Sequence, residues 1–208
     1  MREGKNTNNF VTFLKIIAMA NKNCVFGIIG FIIVYIVSVM AGAFIGFLGP
    51  VFWVFFPALS ALLASFSYFY LASRWQKFGL GIVLSILVSV ILLAAKEINL
   101  QGGLIIILAG VLSDIVRYIT GNTCLKAVYV SYPILSLGLI SWNLRLWTNT
   151  QWYVSNAIEE MGQSYADGLE SLANSKILIL VIVAVLFFAY SGIRLSHCLM
   201  KKSEERFI

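Results

Sequence analysis

Two sets of side chains in this sequence are placed to do chemistry, one ionic and one aromatic. Asp114 and Arg117 stand three residues apart within the otherwise apolar stretch Leu104–Thr120, and on a helix they share a face. A carboxylate buried that far into an apolar stretch is expensive unless it is neutralised or serves a function. An ion pair between Asp114 and Arg117 is the simpler expectation, with the guanidinium also reaching toward the nearer aqueous boundary. The alternative is a catalytic Asp114. The aromatic set is Trp142, Trp147, Trp152, Tyr153 and Tyr165, crowded into one stretch with Asn143, Asn149 and Met161. Flat rings mixed with a few amides suit a planar, partly polar ligand, since ring stacking adds about 0.5–1.5 kcal/mol to the burial of area.

Other chemistry is missing. The sequence has no phosphate-binding Gly-rich loop ending in Lys-Ser/Thr, no HExxH and no GxSxG, so no catalytic residues are assigned and no enzyme is expected. Cys24, Cys124 and Cys198 lack metal-ligand spacing, and His197 stands apart from any other ligand type, near Lys201 and Lys202. No metal site and no cofactor are expected. The net charge is +6, but the basic residues sit singly or in pairs and form no phosphate-binding face, so nucleic acid is not a partner.

The elements that must position these groups follow from composition. Apolar residues make up 60% of the chain and charged residues 12%, about half the charge that clothes a soluble domain. That excludes a soluble enzyme and disorder alike, and makes the lipid bilayer the chain's surroundings. A crossing helix needs about 20 mainly apolar residues. Residues 23–73 carry no charge at all, which is two spans joined by a tight turn at Gly49-Pro50. The spans expected are Val25–Leu48, Val51–Ala72, Phe78–Ala95, Leu104–Thr120, Ala127–Leu144 and Ile177–Ile193. The fold class is therefore all-α: a polytopic membrane protein, a compact bundle of six transmembrane helices in one domain. Gly42 and Gly46, four apart in the first span, allow close approach of another helix.

Six spans put both termini on one side, together with twelve of the fifteen basic residues; only Lys96, Arg145 and Lys176 fall opposite. That bias places both termini in the cytoplasm of a cell-membrane protein. No cleavable leader is expected from the short apolar run Phe10–Ala20. The one large loop, 145–175, is then outside. From Ser155 to Asn174 it reads as one amphipathic helix, with Ile158, Met161, Tyr165, Leu169 and Leu172 on one face and Asn156 with Glu159 as a capping box. An aromatic belt with an interfacial helix is one reading of it. Its acidic charge favours another, a lid folded over the mouth. The lid and its neighbours bring Trp142, Asn143, Trp147, Asn149, Trp152, Tyr153, Met161 and Tyr165 to one outer mouth, joined by Trp53 and Pro57 from the first hairpin.

Several segments resemble one family in order and spacing. They are Phe56-Pro57-Ala58-Leu59-Ser60-Ala61-Leu62-Leu63-Ala64, Leu108–Asp114, Tyr132–Gly138, Trp147, Met161-Gly162-x-x-Tyr165-Ala166 and the basic tail Ser196–Lys202. Together, from about Val25 to Lys202, they resemble the Treponema–Streptococcus (Trep_Strep) integral membrane proteins, regarded as substrate-binding (S) components of energy-coupling factor transporters. The resemblance implies a pocket at the outer face closed by loops, and partners in a transmembrane coupling subunit and two ABC ATPases. It also implies docking on that subunit through small residues early in the first span. Gly27 is followed four residues later by Phe31, which leaves Gly30 as the second small residue. The expected cargo is a small, planar, vitamin-like molecule. A haem-binding S component is the alternative, with Tyr153, Tyr165 or Met161 as the available iron ligands. A structural or assembly membrane protein without transport is the reading from another class.

Overall fold

The computed structural model describes residues 25–205. Among them are nine α-helices and no strand: α1 Val25–Gly46, α2 Pro50–Arg74, α3 Leu80–Ala94, α4 Leu100–Thr120, α5 Leu125–Leu137, α6 Arg145–Thr148, α7 Thr150–Met161, α8 Gln163–Leu172 and α9 Ser175–Glu205. A 3-10 turn, Gly138–Trp142, extends α5. Five of these segments are long and apolar enough to cross a membrane: Phe26–Gly46, Pro50–Arg74, Leu100–Thr120, Leu125–Trp142 and Ser175–Met200. The sixth expected span, α3, has 15 residues and rises only about 22 Å. Its first turn meets Asp114 beside the α2 exit, and the turn after it carries Lys96 to a cavity it shares with Trp53. The last helix does not close at Ile193 as expected but continues to Glu205, carrying His197 with it.

Small and polar side chains set how closely the helices pack. A Cβ at Gly42 would stand 2.1 Å from Ser60 Oγ, and one at Gly46 would stand 2.6 Å from the Trp53 ring, so only glycine lets α1 lie on α2 there. Pro50 occupies the first turn of α2, where its missing N–H costs nothing. Hydroxyls stitch the interior: Ser60 Oγ donates to Val39 O at 2.9 Å, Tyr68 and Ser131 share a 2.9 Å bond, Ser113 Oγ donates to Ser131 O at 2.8 Å, and Tyr132 donates to Ala61 O. Such bonds are worth about 0.6 kcal/mol each between membrane helices. Phe26, Ile33, Val37, Ile179, Val183 and Phe187 face outward on α1 and α9, as a lipid-facing surface requires.

Asp114 and Arg117 do not bond to each other as expected. Asp114 accepts from the backbone N–H groups of Gly81 and Ile82, both at 2.9 Å, in the first turn of α3. Arg117 Nη2 donates to Ala72 O at 2.7 Å and Trp75 O at 2.5 Å, at the last turn of α2. The carboxylate thus caps the positive end of one helix and the guanidinium the negative end of the next. Nor does Arg117 reach toward water: it is 0% exposed. Two charges one turn apart on α4 fasten the α2–α3 corner.

Candidate functional site

The end of the bundle opposite that corner holds a cavity of about 240 Å³. Six segments converge on it. The α1–α2 hairpin brings Phe47 and Trp53, the α3–α4 turn brings Lys96 and Glu97, and the 3-10 turn brings Trp142. Arg145 enters from α6; Trp152, Tyr153, Asn156, Glu160 and Met161 from α7; Tyr165 and Leu169 from α8. Ring contacts make one wall continuous: Phe47 to Trp53 at 5.6 Å, Trp53 to Phe56 at 5.4 Å, and Phe56 edge-on to Trp142 at 4.9 Å.

Hydrogen bonds fix the polar edges of this wall. Trp53 Nε1 donates to the Tyr153 hydroxyl at 2.6 Å, and Trp142 Nε1 donates to Glu97 Oε2 at 3.2 Å. The Arg145 guanidinium lies 4.4 Å from the Trp152 ring centre, a cation–π contact. Burial raises the Tyr153 pKa well above the ordinary phenol range, with smaller contributions from Tyr165, Glu97 and Glu160. The Tyr165 hydroxyl, pushed up to about 12 by burial, donates to Gly46 O at 3.0 Å and stays a neutral donor at physiological pH.

The segment expected as a lid is helical and borders the cavity, but it is not the single helix 155–174. It is two helices, α7 and α8, meeting at Gly162, whose φ of 87° lies in the left-handed region that glycine favours. Asn156 sits inside α7, which starts at Thr150, so it forms no capping box with Glu159. The amphipathic pattern holds in α8, where Ala166 and Leu169 are buried and Asp167 and Glu170 exposed, but not in α7, where Ile158 and Met161 of the expected apolar face are exposed. Gly168 rests on Pro50, where a Cβ would come within 2.6 Å of the ring. The lid is therefore latched to the first hairpin.

Of the ten residues expected at the mouth, Trp53, Trp142, Trp152, Tyr153, Met161 and Tyr165 line the cavity, and Pro57, Asn143, Trp147 and Asn149 do not. Pro57 and Asn143 act behind the wall as a pair. Pro57 has no N–H to give to the carbonyl four residues back, that of Trp53. Asn143 Nδ2 supplies the missing donor at 3.0 Å, with Val54 O at 3.4 Å. Trp147 instead donates from Nε1 to Asn174 O at 3.2 Å, tying α6 to the start of α9, and Asn149 is the exposed residue preceding α7. Reading the sequence for rings and amides missed Phe47, Asn156 and the charged lining: Lys96, Glu97, Arg145 and Glu160. A signal for two of them was there, since Lys96 and Arg145 are among the three basic residues that the charge bias left on the mouth side.

No group of three or more metal-ligating side chains occurs among the described residues. His197 lies at the far end, stacked on Phe69 at 5.7 Å and bonded to the Tyr129 hydroxyl at 3.2 Å. Early in α1, Gly27 is buried, whereas a Cβ added at Gly30 would meet nothing within 4 Å. Gly30 therefore leaves an open notch on the face of α1. Cys24 and the tail residues from Lys201 lie outside the residues whose side chains are described.

No curated protein and no solved structure matches the chain. Residues 22–205, nearly its whole length, match the profile of a family described as hypothetical bacterial integral membrane protein (Trep_Strep). With an apolar helical bundle and a family match of that extent, the chain belongs to the Trep_Strep family of bacterial integral membrane proteins.

Proposed function

We propose that this protein is the substrate-binding (S) component of an energy-coupling factor importer, a binding protein and not an enzyme. The observation that carries the reading is the lidded cavity: aromatic walls, fixed polar edges and a two-helix cover, at one end of a membrane bundle. The other end carries Arg74, Lys77, Lys126 and Arg194, the charge pattern of a cytoplasmic face. On this reading the protein sits in the cell membrane with both termini inside and the cavity outside. It captures a small, planar, vitamin-like molecule there. A transmembrane coupling subunit and two ABC ATPases supply the energy for release inward, since the chain carries no ATP-binding loop of its own.

Haem fits the cavity less well. At about 240 Å³ the space lies below the roughly 300–1,000 Å³ usual for drug-sized ligands. Of the expected iron ligands, the Tyr165 hydroxyl is already engaged with Gly46 and that of Tyr153 with Trp53. The test is co-expression with the coupling subunit and ATPases of an energy-coupling factor module, followed by purification in detergent. A stable four-part complex that retains a small molecule by mass spectrometry is expected. Failure to assemble under conditions where the chain itself is folded would favour a structural or assembly role. In the assembled transporter, uptake that survives Asp114→Asn is expected, and its abolition in a variant that still folds and assembles would revive a catalytic carboxylate.

A further inference from the structure

We propose that the cavity takes a flat zwitterion of one or two rings, whose acid group meets Arg145 and whose protonated amine meets Glu97 and Glu160. The inference rests on the binding-protein reading above and adds the ligand's size and charge to it. Four charged side chains, two of each sign, line one small cavity, and none is hydrogen-bonded to another among the described residues. Arg145 is instead held over the Trp152 ring and Glu97 by the Trp142 indole N–H.

The arrangement is polar along α7. Arg145 lies over Trp152, in the first turn of that helix, and Glu160 stands in its last turn, eight residues and about 12 Å further along the axis. Glu97 approaches from the α3–α4 turn, one carboxylate oxygen held by Trp142 and the other without a donor among the described residues. Tyr153 also lines the cavity; its oxygen accepts from Trp53, and its own proton is given to no protein group among the described residues. That proton is available to a ligand, and burial keeps it on the phenol.

Two of these charges sit where the fold would not choose them. Glu160 is near the C-terminus of α7, where the helix dipole disfavours an acid. Lys96 ends α3 in a Schellman motif: its N–H bonds Leu93 O at 3.1 Å and that of Glu97 bonds Leu92 O at 3.0 Å. The motif places Lys96 at φ 60°, the position glycine normally fills. Both side chains are exposed and make no hydrogen bond within the described residues, so both are free to meet a ligand. The left-handed backbone at Lys96 is the kind of local strain that clusters at binding sites.

The test uses four compounds built on one ring: 4-(aminomethyl)benzoate with one charge at each end, 4-methylbenzylamine with the amine only, 4-methylbenzoate with the acid only, and benzyl alcohol with neither. Each is titrated calorimetrically into the purified protein in nanodiscs. The zwitterion is expected to bind about tenfold more tightly than either singly charged compound, the effect of one charge-assisted hydrogen bond. Arg145→Gln should erase its advantage over the amine. Glu97→Gln with Glu160→Gln should erase its advantage over the acid, and thermal unfolding checks that each variant folds. Equal affinity for all four, binding of none, or a charge preference that the variants leave unmoved overturns the proposal. Assembly with the coupling subunit and ATPases is read in parallel. A complex that forms while ligand charge proves irrelevant sinks this inference alone; a charge preference without any complex sinks the transport reading alone.

Discussion

Pro57 and Asn143 show how a residue can serve a binding wall without touching its ligand. The proline leaves the Trp53 carbonyl without its helical donor, and the amide 86 positions later makes up the loss. Asn143→Ala should therefore destabilise the protein by about 1–3 kcal/mol, the cost of a buried carbonyl left without a donor. Adding Pro57→Ala returns an N–H to that carbonyl, so the double variant should recover part of the loss in thermal unfolding. Additive destabilisation would mean that Asn143 acts elsewhere. Lys96 makes the opposite case: Lys96→Gly relieves a left-handed backbone and should raise stability by about 1 kcal/mol. A lowered melting temperature would show that the lysine side chain itself holds the α3–α4 turn.

At the scale of elements, the lid is fastened at few points, and this makes it separable from the bundle. Gly168→Leu cannot be accommodated against Pro50, so α8 should lift while α1–α5 and α9 stay packed. Increased acrylamide quenching of tryptophan fluorescence and faster proteolysis between α8 and α9, at an unchanged melting temperature, would record this. Loss of the whole fold would instead make α8 part of the core. The crossing helices were legible in the sequence because charge spacing and apolar length report directly on a bilayer. The break at Gly162 was not, because an amphipathic period runs through a glycine whether its φ is negative or positive. The ion pair expected between Asp114 and Arg117 failed for a related reason. Spacing shows which side chains share a face, but the helix ends that meet that face come from the distant residues 72–82. Six of the ten expected mouth residues line the cavity, five of them aromatic and the sixth Met161. The charged ones were passed over because, in a linear reading, a charge beside a span looks like a boundary marker.

For the whole molecule, orientation is the testable quantity. Cys124 and Cys198 are free thiols on segments that meet at the His197 end. Both should resist an impermeant thiol reagent added to intact cells, whereas a single cysteine placed at Gln163 in a cysteine-free background should react. Labelling of Cys198 from outside would invert the protein. Gly30 adds a second test: with open space around it, Gly30→Leu should leave folding and ligand binding intact and weaken assembly with the coupling subunit. Loss of ligand binding as well would place Gly30 in the bundle's own packing.

The latch between Tyr165 and Gly46 gives α1 a mechanical role. Gly30 and Gly46 lie on one continuous helix, sixteen residues or about 24 Å apart. A rigid rod of that length, tipped by roughly ten degrees at one end, moves its other end by about 4 Å. That displacement exceeds the slack in a 3.0 Å hydrogen bond, so a partner leaning on α1 near Gly30 would break this latch at the far end of the helix without ever contacting it, leaving Gly168 on Pro50 and Trp53 on Tyr153 to hold the cover.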